Sequence, residues 1–238
     1  MFGTLKLTRK IGDYSSLSFS ASAFSTNEKE TYDIQGQYWI GLLETNPGSE
    51  QSGNVISNQG VGTYIEHARN DFYSQVFNID HKGAYKKDFY TLKWGARYQH
   101  QHFDDFINEW EMIDSAGFSL PHPADSIGSP NPPHHPFEIR HLSKGHNILN
   151  IDNIDGFVHN EWSFNSKNDD IVTLSLGLRA NYWGYNKEVN ISPRAGVAFK
   201  PSWNRDMLFR LSGGVYVQPP FYRELRKFDG SLVKPEDA

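Results

Sequence analysis

The sequence contains no cysteine. That excludes a disulfide framework, a thiolate metal site and a cysteine nucleophile together. It has no run of about 18 apolar residues, which excludes a transmembrane helix. Blocks of basic residues are also absent and the formal net charge is -5, so no nucleic-acid partner is expected. The start, Met1-Phe2-Gly3-Thr4-Leu5-Lys6, lacks the charged and then apolar stretches of a signal peptide. Catalytic signatures are missing too. There is no HExxH, Walker loop or G-x-S-x-G, and Ile65 stands where a dinucleotide loop after Gly60-Val61-Gly62 needs its third glycine. Asp152, Asp155 and Gly156 do not have calcium-loop spacing. Neither an enzyme nor a cofactor is expected.

What the chain does have is aromatic residues, 14% of 238, and a strong period of two. At 90–99, Tyr90, Leu92, Trp94, Ala96 and Tyr98 alternate with Thr91, Lys93, Gly95, Arg97 and Gln99. At 171–182, Val172, Leu174, Leu176, Leu178, Ala180 and Tyr182 alternate with polar or small residues. Such segments are strands with one apolar and one polar face. The same pattern marks 16–23, 191–200 and 207–217, and in weaker form 2–9, 71–80 and 155–164. The fold class is therefore all-β, with about eight strands. Most are about 10 residues long, the length of a tilted membrane-spanning strand. Their apolar faces are uncharged and end in Tyr, Trp or Phe, as at a bilayer interface.

The connections alternate as well. Residues 10–15, 82–88, 165–170 and 201–206 read as short turns, with Gly12-Asp13 and Lys82-Gly83 among them. Residues 25–69, 103–153 and, shorter, 183–190 read as loops, and another segment opens at 219. Short turns on one side and long loops on the other describe an antiparallel up-and-down transmembrane β-barrel. Counting strands puts both chain ends on the long-loop side, so the chain reads as a slice of a larger barrel.

Two stretches carry a resemblance. Ile191-Ser192-Pro193-Arg194-Ala195-Gly196-Val197 is one; the other runs from Phe209-Arg210-Leu211-Ser212-Gly213-Gly214 through Gln218-Pro219-Pro220-Phe221-Tyr222-Arg223-Glu224-Leu225. Together they resemble paired strands of TonB-dependent outer-membrane receptors of the Bacteroidota type. Asp33-Ile34-Gln35-Gly36-Gln37-Tyr38-Trp39, Asn108-Glu109-Trp110 and Asp114-Ser115-Ala116-Gly117 are similar in style to that group. The resemblance implies that residues 1–238 are part of a barrel of the 22-stranded type, without its plug domain, signal peptide and final strands. It implies a place in the outer membrane of a Gram-negative bacterium, in contact with outer-membrane lipid. It further implies a transport receptor driven by the TonB complex through the missing plug, for a small ligand such as a siderophore, haem, an oligosaccharide or a peptide. Two rivals remain: a self-contained small or porin-like barrel, and a soluble β-rich module such as a carbohydrate-binding one.

Candidate ligand contacts lie in the outer loops: Tyr38, Trp39, Tyr64 and Trp110, which offer stacking faces, and His134 and His135 of the Pro- and His-rich stretch 121–146. Imidazoles there can bind metal or haem, but their irregular spacing favours a solvated, proline-stiffened loop, and no metal site is assigned. The carboxylates Asp104, Asp105, Glu109, Glu111 and Asp114 allow a glycosidase-type pair; a solvated loop is the simpler reading. Lys93, Arg97, Arg179, Arg194 and Arg210 fall on polar strand faces and are expected to face the lumen, where they pair across strands or meet a ligand or plug.

Overall fold

The computed structural model describes residues 1–114, 138–166 and 168–238. Eight strands form one antiparallel sheet in the order β1-β2-β3-β4-β5-β6-β7-β8. They are β1 (Phe2–Ile11), β2 (Ser15–Leu43), β3 (Val55–Lys87), β4 (Tyr90–Asp114), β5 (Glu138–Asn165), β6 (Ile171–Trp183), β7 (Glu188–Lys200) and β8 (Phe209–Gly214). Every strand pairs only with its sequence neighbours, and the sheet stays open, with β1 and β8 at its edges. This is the all-β, up-and-down architecture expected, in a form consistent with a β-barrel fragment. Among the described residues no helix is long and apolar enough to cross a membrane.

The strands are longer than the apolar alternation indicates. Residues 25–69 and 103–153 read as loops, yet β2 runs on to Leu43, β3 begins at Val55, β4 reaches Asp114 and β5 begins at Glu138. The ladder is continuous there, for example Glu30↔Asn70 and Asp105↔Asn147. In these upper parts both faces mix polar and apolar residues, so the two-residue contrast disappears while the backbone pairing persists. The turn expected at 82–88 sits instead at Asp88-Phe89, where Asp88 takes φ 47°. Gly83 is a strand residue: the Trp94 ring lies over it, and a Cβ there would come within 2.1 Å of that ring. The loop expected at 183–190 is a tight turn closed by Trp183↔Glu188, with Lys187 at φ 61°. The strand expected at 207–217 ends at Gly214, because the chain turns away after Val215 donates its N–H to Pro193. Pro219 and Pro220 have no N–H with which to continue a ladder.

The register separates two faces. Leu17, Phe19, Ala21 and Ala23 of β2 share a face with Trp94, Val158, Leu176, Leu178 and Val197. This outer face is exposed: Leu5 is 77% accessible and Leu211 75%. Ser16, Ser18, Ser20 and Ser22 take the opposite, inner face, with Asp80, Arg97, Asp155 and Arg179. The β1–β2, β3–β4, β5–β6 and β7–β8 connections lie at one end of the sheet, and the tight β6–β7 turn lies at the other. Met1 lies at the other end, where its amino group donates to the Ser25 carbonyl at 2.6 Å. Ala238 is there too, its carbonyl accepting from Asn186 Nδ2 in the β6–β7 turn.

Candidate functional site

The segment after Gly214 folds back onto the inner face. Its short helix, Tyr222–Leu225, places Leu225 against Phe103, Ile151 and Trp183, where it is 2% exposed. This is the main apolar cluster among the described residues, and it fills a corner. β6 stops at Trp183 opposite Asn153, while β5 continues upward with a free edge. The tail occupies that edge: Lys144 N–H donates to Asp229, and Asn147 Nδ2 donates to the Gly230 carbonyl at 2.7 Å. Gly230 suits this approach, at φ +86° with the Lys144 backbone 3.1 Å from where a Cβ would stand, closer than ordinary contact.

One carboxylate anchors the tail. Asp105 is 2% exposed, a position that costs several kcal/mol without partners. The Tyr222 hydroxyl donates to its Oδ2 at 2.8 Å, and Arg226 Nη1 stands 3.4 Å from the same oxygen. The Tyr222 ring stacks on Phe103 at 4.5 Å between centroids and approaches Phe72 at 5.7 Å. Burial, and then the Asp105 carboxylate, push the Tyr222 hydroxyl above its ordinary range. Higher on the tail, the Tyr185 hydroxyl donates to the Val233 carbonyl.

Tail and sheet line a half-open chamber of about 1280 Å³. Phe24, Phe72 and Phe103 give it aromatic surface, and Gln99, Gln101, Asn153 and Asn181 give it carboxamides. Its two strand arginines are paired across strands. Arg97 Nε donates to Asp80 Oδ1 at 2.6 Å, and Arg179 Nη2 to Asp155 Oδ1 at 2.8 Å. Gln99 donates to Asn78, and Asn181 Nδ2 to Asp155. The Asn181 Oδ1 atom is buried and has no partner among the described residues. Such a chamber can bind a polar molecule of moderate size through amide donors and acceptors and ring faces.

The sequence-derived contacts do not converge on it. Tyr38 and Tyr64 are on the inner face, crossing over Gly62 and Gly36 of the facing strand. Trp39 alternates to the outer face and is 65% exposed. Trp110 also lies outside, stacked on His67 at 4.7 Å. His67 Nδ1 sits 2.6 Å from Asp33, which also binds Arg69. Arg69, then His67, hold the Asp33 carboxyl below the usual range. His134 and His135 lie outside the described residues. Arg97 and Arg179 line the chamber. Lys93, Arg194 and Arg210 take the same face by register, nearer the short turns, and Arg194 lies over the Tyr216 ring at 4.4 Å. The neighbours Asp104 and Asp105 separate: Asp104 reaches His146 on the outer face at 2.8 Å, and Asp105 is buried inside. A glycosidase-type pairing of these two is therefore not what the structure builds. The Asp105–Tyr222–Arg226 anchor was missed in the sequence. Its one signal was that Phe103 and Asp105 continue the phase of Arg97 along β4.

No protein-family model matches the chain, no curated protein matches it, and no solved structure matches it.

Proposed function

We propose that this chain is part of the wall of an outer-membrane β-barrel receptor that takes up a small ligand with energy from a TonB complex. The observation that carries the membrane part is the outer face. From β2 to β8 it is an apolar band whose short-turn edge is a belt of rings. Tyr14 and Tyr85 lie 6.4 Å apart, Tyr85 and Tyr90 6.2 Å, and Tyr90 and Trp162 5.8 Å, with Phe89–Phe164 and Trp203–Phe209 continuing the belt. Aromatic rings at the edge of an apolar band are the interfacial girdle of a membrane barrel. A soluble module would have to cover this face with a second layer, which the described residues do not supply.

The chamber and the tail favour a large barrel over a small one. Eight strands close around an interior just wide enough for side chains. Here the inner face already holds a folded tail and a chamber of about 1280 Å³. Backbone groups on the edges of β1 and β8 need partners in lipid, so further wall strands fit beside them. The receptor and TonB parts of the reading rest on the resemblance of the 191–197 and 209–225 stretches.

These 238 residues bring no cysteine of their own, so an introduced one is the reporter within this part of the wall. In the intact protein in outer-membrane vesicles, Leu176→Cys should resist a charged maleimide, and Ser175→Cys should react with it. Equal reactivity of the two would overturn the membrane reading.

A further inference from the structure

The upper wall of the chamber carries carboxylates that the fold does not use. Glu28 and Glu30 of β2 and Glu109 of β4 line it. Lys29, between the first two, alternates to the other face and holds Asp71 at 2.8 Å. Asn70 Nδ2 donates to Glu30 at 3.1 Å and to Glu109 at 2.6 Å. One neutral amide thus holds both carboxylates, whose oxygens stand within about 6 Å of each other, where like charges oppose ionisation. Glu66 adds to the same field: burial first, and then Glu30, Glu109 and Glu66, push the Tyr32 hydroxyl above its ordinary range. The arginines of the chamber are committed elsewhere, Arg97 to Asp80, Arg179 to Asp155 and Arg226 to Asp105. Arg223 of the tail is the one cation of the lining without an ionic partner among the described residues, against Glu28, Glu30 and Glu109.

Two neighbours of these carboxylates are also open to a guest. Ser74 is 5% exposed and lines the chamber, yet its hydroxyl has no hydrogen-bond partner among the described residues. Buried hydroxyls are ordinarily satisfied. Ser74 faces Thr26 in the ladder, so Glu28 is its diagonal neighbour. Phe72 is the ladder partner of Glu28, which sets a ring beside a carboxylate with their Cβ atoms about 5 Å apart. An anionic guest would meet this wall with like charge, and a neutral one would leave the carboxylates uncompensated. A hard metal ion takes about six to eight oxygens, and the described residues hold no group of three or more His or carboxylate side chains placed for a metal. An organic ammonium needs only one or two carboxylates and is drawn to a ring face as well.

We propose that this wall binds a small organic amine, its ammonium group among Glu28, Glu30 and Glu109 and its carbon frame against Phe72. This rests on the reading of the inner face as the ligand-holding lumen of a receptor.

The test uses the intact protein in lipid nanodiscs and three probes of one carbon frame: 2-phenylethylammonium, 2-phenylethanol and 3-phenylpropionate. Affinities are read by saturation-transfer NMR titration. The ammonium should bind at least about tenfold more tightly than the alcohol or the carboxylate, the value of one charge-assisted hydrogen bond. Glu30→Gln/Glu109→Gln leaves acceptors for Asn70 and should remove that preference. Glu161→Gln, on the inner face outside the chamber lining, should leave it unchanged. The reactivity contrast between Leu176→Cys and Ser175→Cys, measured in the same preparations, reports the wall independently. Where that contrast holds and the ammonium binds no better than the alcohol, the amine proposal fails and the wall reading stands. A preference that survives Glu30→Gln/Glu109→Gln, or that Glu161→Gln removes equally, also overturns it, as does a site that takes calcium and not the ammonium. If the two cysteines react alike, the receptor reading and the proposal fall together.

Discussion

An arginine scan along β6 tests the two-faced wall most directly. The outer-face positions are Val172, Leu174, Leu176, Leu178 and Ala180; the inner-face ones are Thr173, Ser175 and Gly177. Leu176 is five residues beyond Ile171, the first residue of β6. At about 3.3 Å per residue and a tilt of about 45°, it stands about 12 Å above the short-turn edge. That is about half the height of an apolar band of about 25 Å, so Leu176 is near the midplane. Leu176→Arg should therefore cost about 2–4 kcal/mol, and Val172→Arg and Ala180→Arg about 0–1. Thr173→Arg, on the wet face, should stay within about 0.5 kcal/mol. Between Leu176 and Thr173 this separates folding equilibria by about 25- to 700-fold. The assay is reversible guanidinium unfolding of the intact protein in lipid vesicles. A peaked profile at even positions and a flat one at odd positions is expected. Equal costs at 173 and 176 would refute the assignment of faces, and a flat even profile would refute the bilayer as the solvent of the outer face.

The tail gives two further expectations. Leu225→Ala should cost about 2–5 kcal/mol of tail docking, since it empties a closed apolar corner; limited trypsin digestion near Arg226 and Lys227 should then become fast, and an unchanged digestion rate would contradict the packing. Tyr222→Phe removes the hydroxyl donor from buried Asp105 and should loosen the tail by about 1–3 kcal/mol. The pH dependence follows from the raised Tyr222 hydroxyl. Its contribution is fully present below the ordinary tyrosine value of about 10 and is lost as pH rises beyond it, because the free tail ionises first. Tail release above about pH 10 should therefore be steeper in the native protein than in Tyr222→Phe, read by the same digestion.

Much of the fold was legible where a side chain chooses between the apolar outer face and the polar inner face. Leu174, Leu176 and Leu178 against Thr173, Ser175 and Gly177 leave little freedom of register, because a one-residue slip would exchange the faces. The upper strands were not legible for the same reason. Lys29 and Glu30, or Asp104 and Asp105, show no apolar contrast, so nothing local distinguishes an extended ladder from a solvated loop. The site was less legible still. Asp105 meets Tyr222 across a separation of 117 residues, and no local pattern reports such a contact. Gly83 misled for a different reason: a glycine beside a lysine resembles a turn, whereas this one makes room for the Trp94 ring of the next strand.

The band itself contains a measure of strand tilt that needs no reference to other proteins. On β2 its lower edge is Leu17. Following the ladder from Leu17 through Gly83, Trp94, Val158 and Leu178 leads to Pro193 of β7. On β7, however, the apolar face continues to Phe199, six residues further along. The edge has therefore moved about 20 Å along the strands while crossing five strand spacings, about 24 Å, which corresponds to a tilt of about 40°. A flat soluble sheet has no reason to shift its apolar edge with respect to its own hydrogen bonds. A bilayer, as proposed for this face, would impose that shift, because its boundary is fixed in space while barrel strands cross it at about 35–45°. The drift also explains why the short turns step along the register, with Ile11↔Ser15, Lys87↔Tyr90 and Asn165↔Ile171 closing successive hairpins. Each hairpin closes where its strands leave the apolar layer, so one boundary sets both the turn positions and the ring belt.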